Sequence, residues 1–185
     1  MYGNDDSDMK IVGNFQPAAP AQDESEAAAL LFERERSSGN LKVAHELGRF
    51  FAGELFAPDG IAYYDEAAAD FERRNICILY TFVADQAMNA CCPNAVIAQS
   101  AENEFYDEIR RRNLTLYESI SRSGAFSIYL LCRKGKDGRR DGVGKAYARI
   151  IRRPDDPEAE KTGEENYKKF CDFCFEHLAK TKFSL

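Results

Sequence analysis

Cys171, Cys174 and His177 recur at three-residue intervals near the C-terminus, and all three are metal-ligating residue types. On a helix this spacing places their side chains within roughly a third of the circumference. Structural zinc sites usually take cysteine pairs from knuckles or helix starts, with a second pair at matching spacing. Here the three residues instead continue an apolar stripe that includes Tyr167 and Phe170. We therefore predict that they pack in the core and that the chain holds no metal.

Histidine and carboxylate chemistry has few candidates. The two histidines, His45 and His177, have no second histidine four residues on and no glutamate three residues before them. This excludes the zinc-protease and di-iron motifs. Asp85 lies in the most apolar stretch, where burial would raise its pKa and suit it to proton transfer. However, Thr81, Asp85 and Asn89 are four residues apart, which is typical of one polar stripe on a helix. We assign no catalytic residue and no cofactor.

Positive charge is concentrated in one window of an otherwise acidic chain. Residues 133–153 carry nine Lys or Arg against two acids, a net charge of +7, whereas the whole chain carries −6. Residues 142–145 open a predicted helix whose backbone amides could hold an anion. The sequence departs from the phosphate-loop motif at Arg139, where glycine is required, and at Ala146, where Ser or Thr is required. A loose anion site is the remaining interpretation.

Part of this charge has a structural explanation. Arg149, Arg152 and Arg153 lie in the last turns of a predicted helix, where cations offset the helix dipole by about 0.3–1 kcal/mol each. The acidic segment 155–160 that follows could neutralise them within the chain. Side chains on the glycine-rich part could bind phosphates without reading base sequence. The candidate anion- or nucleic-acid-binding residues are Arg133, Lys134, Lys136, Arg139, Arg140 and Lys145.

Length and composition indicate one globular domain. The chain has 185 residues, of which 44% are hydrophobic and 30% charged, as in ordinary soluble proteins. No apolar run approaches the roughly 20 residues that cross a bilayer, and the acidic N-terminus is unlike a signal peptide. We therefore expect a cytoplasmic protein without membrane contact. Its six cysteines should be reduced and packed as small hydrophobic residues.

Hydrophobic periodicity predicts an all-α, single-domain bundle of about seven or eight helices. Residues 1–22 are expected to form a flexible, poorly ordered arm, and residues 23–185 the helical domain. Helical patterns cover residues 27–36, 61–71, 76–88, 95–121, 126–133 and 143–151. A further pattern runs from residue 40 to a turn at 58–60, and the first pattern, 27–36, follows a cap at Asp23. The last helix begins with a capping box at Thr162 and Glu165 and runs to about Lys180.

Two segments leave a strand open as the alternative. Residues 76–83 are rich in β-branched and aromatic side chains, as a buried strand would be. Residues 126–133 and 143–151 could pair as a hairpin, because Asp-Gly occurs twice in their connection. The helical patterns of the flanking segments and of 143–151 itself favour helices.

These features favour a non-enzymatic helical protein that acts through protein–protein contact. Catalytic motifs are missing from the sequence, and 13 phenylalanines and 9 tyrosines supply aromatic side chains for a contact surface. A homodimer is one form that this contact could take. The alternative, from a different class, is nucleic-acid or polyphosphate binding through residues 133–153.

Overall fold

A computed structural model describes residues 22–67, 70–133 and 142–184. Within these ranges every regular element is a helix, which confirms the predicted all-α bundle. Most of the predicted arm lies outside the described residues, and its division from the domain stays a prediction. The described part of the chain contains eight helices, which are α1 (Gln22–Ser37), α2 (Asn40–Gly53), α3 (Phe71–Cys91), α4 (Ala95–Arg112), α5 (Leu114–Arg122), α6 (Ala125–Arg133), α7 (Val143–Ile150) and α8 (Pro157–Lys180).

The helix α3 passes through the core, as its apolar sequence predicts. It begins where Asp70 accepts a hydrogen bond from the backbone N–H of Arg73 at 2.7 Å, an N-cap that satisfies a donor of the first turn. Its Tyr80 hydroxyl donates to the carbonyl oxygen of Phe51 at 2.9 Å, which ties α3 to α2. The side chains buried along α3 include Cys77, Ile78, Leu79, Tyr80, Phe82, Val83, Ala84, Ala87 and Met88.

Small residues allow α2 and α4 to pack closely. Ala44, Gly48 and Ala52 lie four residues apart on one buried face of α2. A Cβ atom placed on Gly48 would lie 2.3 Å from the carbonyl oxygen of Ala101 and 2.9 Å from the backbone nitrogen of Phe105. Since backbone atoms cannot swing aside as a side chain can, only glycine fits at this crossing.

A second close crossing joins α7 to α8. A Cβ atom on Gly144 would lie 2.2 Å from the carbonyl oxygen of Glu160, and one on Gly163 would lie 2.6 Å from the Cβ atom of Tyr147. Each helix thus offers a glycine to the other. Because α6 and α7 are both helical, the alternative of a hairpin between residues 126–133 and 143–151 is wrong. The strand alternative for residues 76–83 is wrong too.

The predicted helix over residues 61–71 is also wrong for residues 61–67, while residues 68 and 69 lie outside the described part of the chain and Phe71 begins α3. Residues 54–67 form consecutive turns instead, and the backbone N–H of Tyr64 returns to the carbonyl oxygen of Leu55 at 2.7 Å. Ala62 and Tyr64 are buried. The apolar spacing in this segment therefore reflects a loop that packs into the core, which periodicity alone does not distinguish from a short helix.

Three helix ends differ from the sequence prediction. The single helix predicted over 95–121 is divided at Asn113, whose side chain accepts from the backbone N–H of Leu116 at 2.8 Å and so caps α5. The helix α8 begins at Pro157 after the cap Asp156, and not at the capping box of Thr162. The helix α1 begins one residue before its predicted cap Asp23. Local caps are strong signals, but several compete in each segment.

A buried polar network connects four parts of the chain. The carboxylate of Glu35 on α1, 5% exposed, accepts hydrogen bonds from Asn40 at 2.6 Å and Asn94 at 3.1 Å. Asn40 also exchanges hydrogen bonds with the backbone of Ser184 at 2.9 and 2.7 Å. Asn94 caps α4 through the backbone N–H of Ile97. Burial of this carboxylate is tolerated because both oxygens have partners.

Among the described residues no helix is long and apolar enough to cross a membrane.

We predict that Gly48→Ala destabilises the protein by about 1–3 kcal/mol, because the added methyl group forces α2 and α4 apart. The matched control is Gly53→Ala at the end of the same helix, where an added Cβ meets nothing within 4 Å. This control should be neutral, or stabilising by about 0.4–1 kcal/mol. Urea unfolding of the two variants is the measurement, and equal stabilities would contradict the close-packing argument.

Candidate interaction surface

The predicted anion-binding residues fall mostly outside the described part of the chain. Lys134, Lys136, Arg139 and Arg140 lie in residues 134–141, which the structure does not describe, and the side chain of Arg133 is not described either. Lys145 is exposed in the first turn of α7. The six residues therefore stay a prediction.

The rest of the basic window is partly neutralised within the fold. The guanidinium of Arg153 lies 2.9 Å from Glu72 and 2.7 Å from Asp156, and these two carboxylates raise the pKa of Arg153. The acidic neighbour proposed from sequence is thus confirmed for this arginine. Arg152 lies over the ring of Phe71, 5.5 Å from its centroid. Two of the nine cations therefore have partners that the fold supplies.

Cys171, Cys174 and His177 do not converge on a common point. Cys174 is fully buried in the core, where desolvation raises the pKa of its thiol. The ring of His177 stacks on Phe50 with centroids 3.6 Å apart, and burial lowers its pKa. The predicted core packing of Cys174 is confirmed. Among the described residues no group of three or more His, Cys, Asp or Glu side chains could hold a metal ion.

Asp85 belongs to a hydrogen-bonded cluster between α3 and α4. The Tyr106 hydroxyl donates to one of its carboxylate oxygens at 3.0 Å, and the Gln86 amide donates to the other at 3.2 Å. Partial burial raises the pKa of Asp85, while these two hydrogen bonds oppose the rise. Glu102 on α4 lies within its electrostatic reach, and its Oε1 atom is buried without a hydrogen-bond partner.

Two carboxylates in this setting favour retention of a proton. Burial, followed by the charge of Asp85, raises the pKa of Glu102 to about 7, and burial also raises the pKa of nearby Cys92 to about 11. Sequence reasoning identified Asp85 but missed Glu102. The sequence signal for Glu102 would have been its position. It lies two turns into α4, and the break at residues 91–94 turns α4 back along α3. The raised pKa of Glu102 predicts that the α3–α4 contact is sensitive to pH.

A wide cleft beside α2 carries cations that are already paired. It encloses about 400 Å3, and its cationic side chains Arg36, Lys42 and Arg49 lie 3.6, 3.8 and 2.7 Å from Glu33, Glu46 and Glu104 respectively. The formal charges of these six side chains cancel. The cleft therefore has no net attraction for an anion, although its volume is within the range of small-molecule sites. Its lining residues are Arg36, Gly39, Leu41, Lys42, His45, Glu46 and Arg49.

A smaller groove, lined mainly by apolar side-chain types, runs between α3 and α8. Its volume is about 50 Å3. One wall is formed by Tyr167, Cys171 and Phe175, which follow each other at four-residue intervals along α8. Phe175 stands at this wall with 46% of its surface exposed. The residues of α3 in the groove are Phe82, Val83, Gln86, Ala87 and Ala90.

The helix α6 extends this apolar region. Phe126 contacts the groove residue Phe82 edge to face, with ring centroids 5.5 Å apart. Tyr129 is buried against the same Phe82 ring. On the outer side of α6, Ile128 is 40% and Leu131 70% exposed. We call the groove between α3 and α8, whose wall includes Phe175, the α3–α8 groove.

The sequence signal for this groove is that apolar residues occupy a wide part of the circumference of α8. Phe170, Cys174 and Leu178 are buried and already supply the stripe that packs on the core. Tyr167, Cys171 and Phe175 form a second stripe beside it. The sequence pattern merges the two into one wide face, and only packing shows that the first stripe is buried, whereas the second is partly buried against the core and ends at the exposed Phe175.

We predict that Glu102→Gln removes a pH-dependent loss of stability. A pKa raised from 4.5 to about 7 stabilises the fold below the unfolded value and ceases to do so as the pH rises through about 7. The variant should therefore gain in stability relative to the parent between about pH 5 and about pH 8. Urea midpoints at the two pH values provide the measurement. Asp107→Asn, on the exposed side of α4, is the control, and an equal gain in it would contradict the assignment.

In comparisons with protein-family models, curated proteins and solved structures, nothing matches this chain. Its function is therefore argued from its own residues and their arrangement.

Proposed function

We propose that this protein acts by binding another polypeptide through the α3–α8 groove. The observation that carries the proposal is Phe175, a large aromatic side chain left 46% exposed at the wall of an apolar hollow. Phenylalanine is enriched in protein–protein contacts, where its ring is desolvated by the partner. A non-enzymatic role in protein contact is also the function that the sequence favours.

The size of the groove supports a side chain as its occupant. Small-molecule sites usually enclose about 300–1,000 Å3, whereas the α3–α8 groove encloses about 50 Å3. A hollow of this size admits the end of one apolar side chain. Contacts of this kind, a side chain of one protein in a shallow pocket of another, are typical of the energetic centre of protein interfaces.

Isolated exposed hydrophobic residues are normal on protein surfaces, so the arrangement matters more than the exposure. Phe175 does not stand alone, because Tyr167 and Cys171 extend the same stripe for two further turns. Ala90 on α3 is exposed at the same groove. Tyr167 and Cys171 are partly buried against the core, so the exposed end of the stripe, at Phe175 beside the hollow, is the feature that a binding partner would cover.

The proposal predicts site-specific photocrosslinking. Phe175 is replaced by p-benzoylphenylalanine, and irradiation in cells should give one discrete adduct with a polypeptide. The control carries the same group at Phe71, which is equally exposed at 45% but lies under Arg152, away from the groove. Adducts are resolved by gel mobility and identified by mass spectrometry. No adduct at position 175, or the same adduct at both positions, would contradict the proposal.

A second candidate, nucleic-acid or polyphosphate binding, is favoured by one observation on α7. Lys145 and Arg149 are both exposed and lie four residues apart, on one face of this helix. Among the described residues neither forms an ion pair. They would add two cations to the predicted residues of the 133–145 segment, and exposed cations of this kind contact phosphates.

This candidate predicts salt-dependent binding of a fluorescent single-stranded oligonucleotide. Lys145→Glu/Arg149→Glu and Arg139→Glu/Arg140→Glu should each weaken binding about tenfold or more at low salt, since each replaces two phosphate-binding cations by acids. Lys42→Glu serves as a charge control on α2. Fluorescence anisotropy is the measurement, and an unmodified protein that does not bind at low salt would eliminate the candidate.

A further inference from the structure

We infer that Tyr129 and Tyr147 line an internal binding site, which takes a small uncharged molecule that accepts hydrogen bonds through a carbonyl oxygen. The site lies among α3, α6 and α7, which contact one another. It is independent of the function proposed for the α3–α8 groove. Two observations lead to it: both phenol hydroxyls are buried without a hydrogen-bond partner, and the two side chains lie near each other.

The unpaired hydroxyls are the first observation. Tyr129 is 0% and Tyr147 1% exposed. The hydroxyl oxygen of each is buried, and neither has a hydrogen-bond partner among the described residues. A buried donor without an acceptor keeps the full cost of its desolvation, and such groups are rare in folded proteins. Two of them in one part of the core therefore indicate that a bound molecule supplies the acceptor.

Both side chains lie beside α3 and near each other. The ring centroid of Tyr129, on α6, is 5.2 Å from that of Phe82. Burial, followed by the charges of Glu72 and Asp70 at the start of α3, raises the pKa of Tyr147 to about 12. Burial also raises the pKa of Tyr129, and Tyr147 contributes to that rise. The two hydroxyls do not bond each other, so an acceptor atom placed between them would satisfy both.

The surroundings favour an uncharged ligand. Asp70 and Glu72 would repel an anion, and the nearby guanidinium of Arg153 is already paired with Glu72 and Asp156. Full burial of any ion would add a large desolvation cost. A carbonyl oxygen has two lone pairs and can accept from two phenol hydroxyls at once. Since the ring of Phe82 also borders the site, a small ketone or amide with an apolar body fits this chemistry.

The experiment is urea unfolding of the full chain with and without acetone, the smallest ketone, at about 100 mM. Acetone should raise the folding equilibrium constant of the parent about tenfold. Tyr129→Phe and Tyr147→Phe should each lose most of this gain, since each keeps the ring and removes one donor. In the parent, NMR should show a nuclear Overhauser effect between the methyl protons of acetone and the ring of Tyr129.

The matched control is Tyr80→Phe. Tyr80 is as buried as Tyr129, but its hydroxyl has a partner in the carbonyl oxygen of Phe51. Without acetone, Tyr80→Phe should lower the folding equilibrium constant about fivefold, because it breaks this bond. Tyr129→Phe and Tyr147→Phe should leave the constant unchanged or raise it, because each removes an unpaired buried hydroxyl. With acetone, Tyr80→Phe should gain as much as the parent.

Loss of the acetone effect in Tyr129→Phe and Tyr147→Phe, with its retention in Tyr80→Phe, supports the inference. Three results would overturn it. If the first two variants are destabilised without acetone as Tyr80→Phe is, an ordered water or the chain itself supplies the acceptor. An equal gain in all four proteins is a general cosolvent effect, and no gain in the parent rules out this class of ligand. The proposed function is tested separately, by the photocrosslink at position 175.

Discussion

The close approach of α2 and α4 at Gly48 is the constraint on which the rest of the fold depends. A side chain there would enter the backbone of Ala101 and Phe105, so the two helices could not bring Ala44, Leu47 and Phe51 into the core. Their pairing fixes one layer of the bundle. Because α3 is joined to this layer through Tyr80 and Phe51, its position follows from the same contact.

Buried hydrogen bonds then fix how the helices and the C-terminal segment are placed relative to each other. Glu35 and its two asparagine partners connect α1, the start of α2, the cap of α4 and the C-terminal segment at Ser184. A buried carboxylate that lost either partner would face the full cost of desolvation. The cluster of Asp85 and Glu102 differs from the Glu35 network, because Glu102 keeps one buried carboxylate oxygen without a hydrogen-bond partner. One polar cluster therefore holds its helices together, and for the other we predict a helix contact that is sensitive to protons.

The α3–α8 groove follows from the way in which α8 is packed. Gly163 lets Tyr147 lie against the first half of α8, and Phe170 and Cys174 carry the helix onto α3. This packing buries one of the two apolar stripes of α8 and covers the other in part. The second stripe ends at the groove with the exposed Phe175. The surface that we propose for another polypeptide is thus a consequence of a helix that is more apolar than its own core requires.

The sequence by itself determined the helical class, the central position of α3 and the burial of Cys174, because these depend on local periodicity and on the total of apolar residues. It did not determine that residues 61–67 form turns or that Asn113 divides a helix, since several local signals compete there. It could not show the pairing of Arg153 with Glu72, 81 residues away, or the proximity of Asp85 and Glu102. Those contacts, the roles of Gly48 and Gly163, and the exposure of Phe175 were decided by tertiary packing, which alone sets distances between residues remote in sequence.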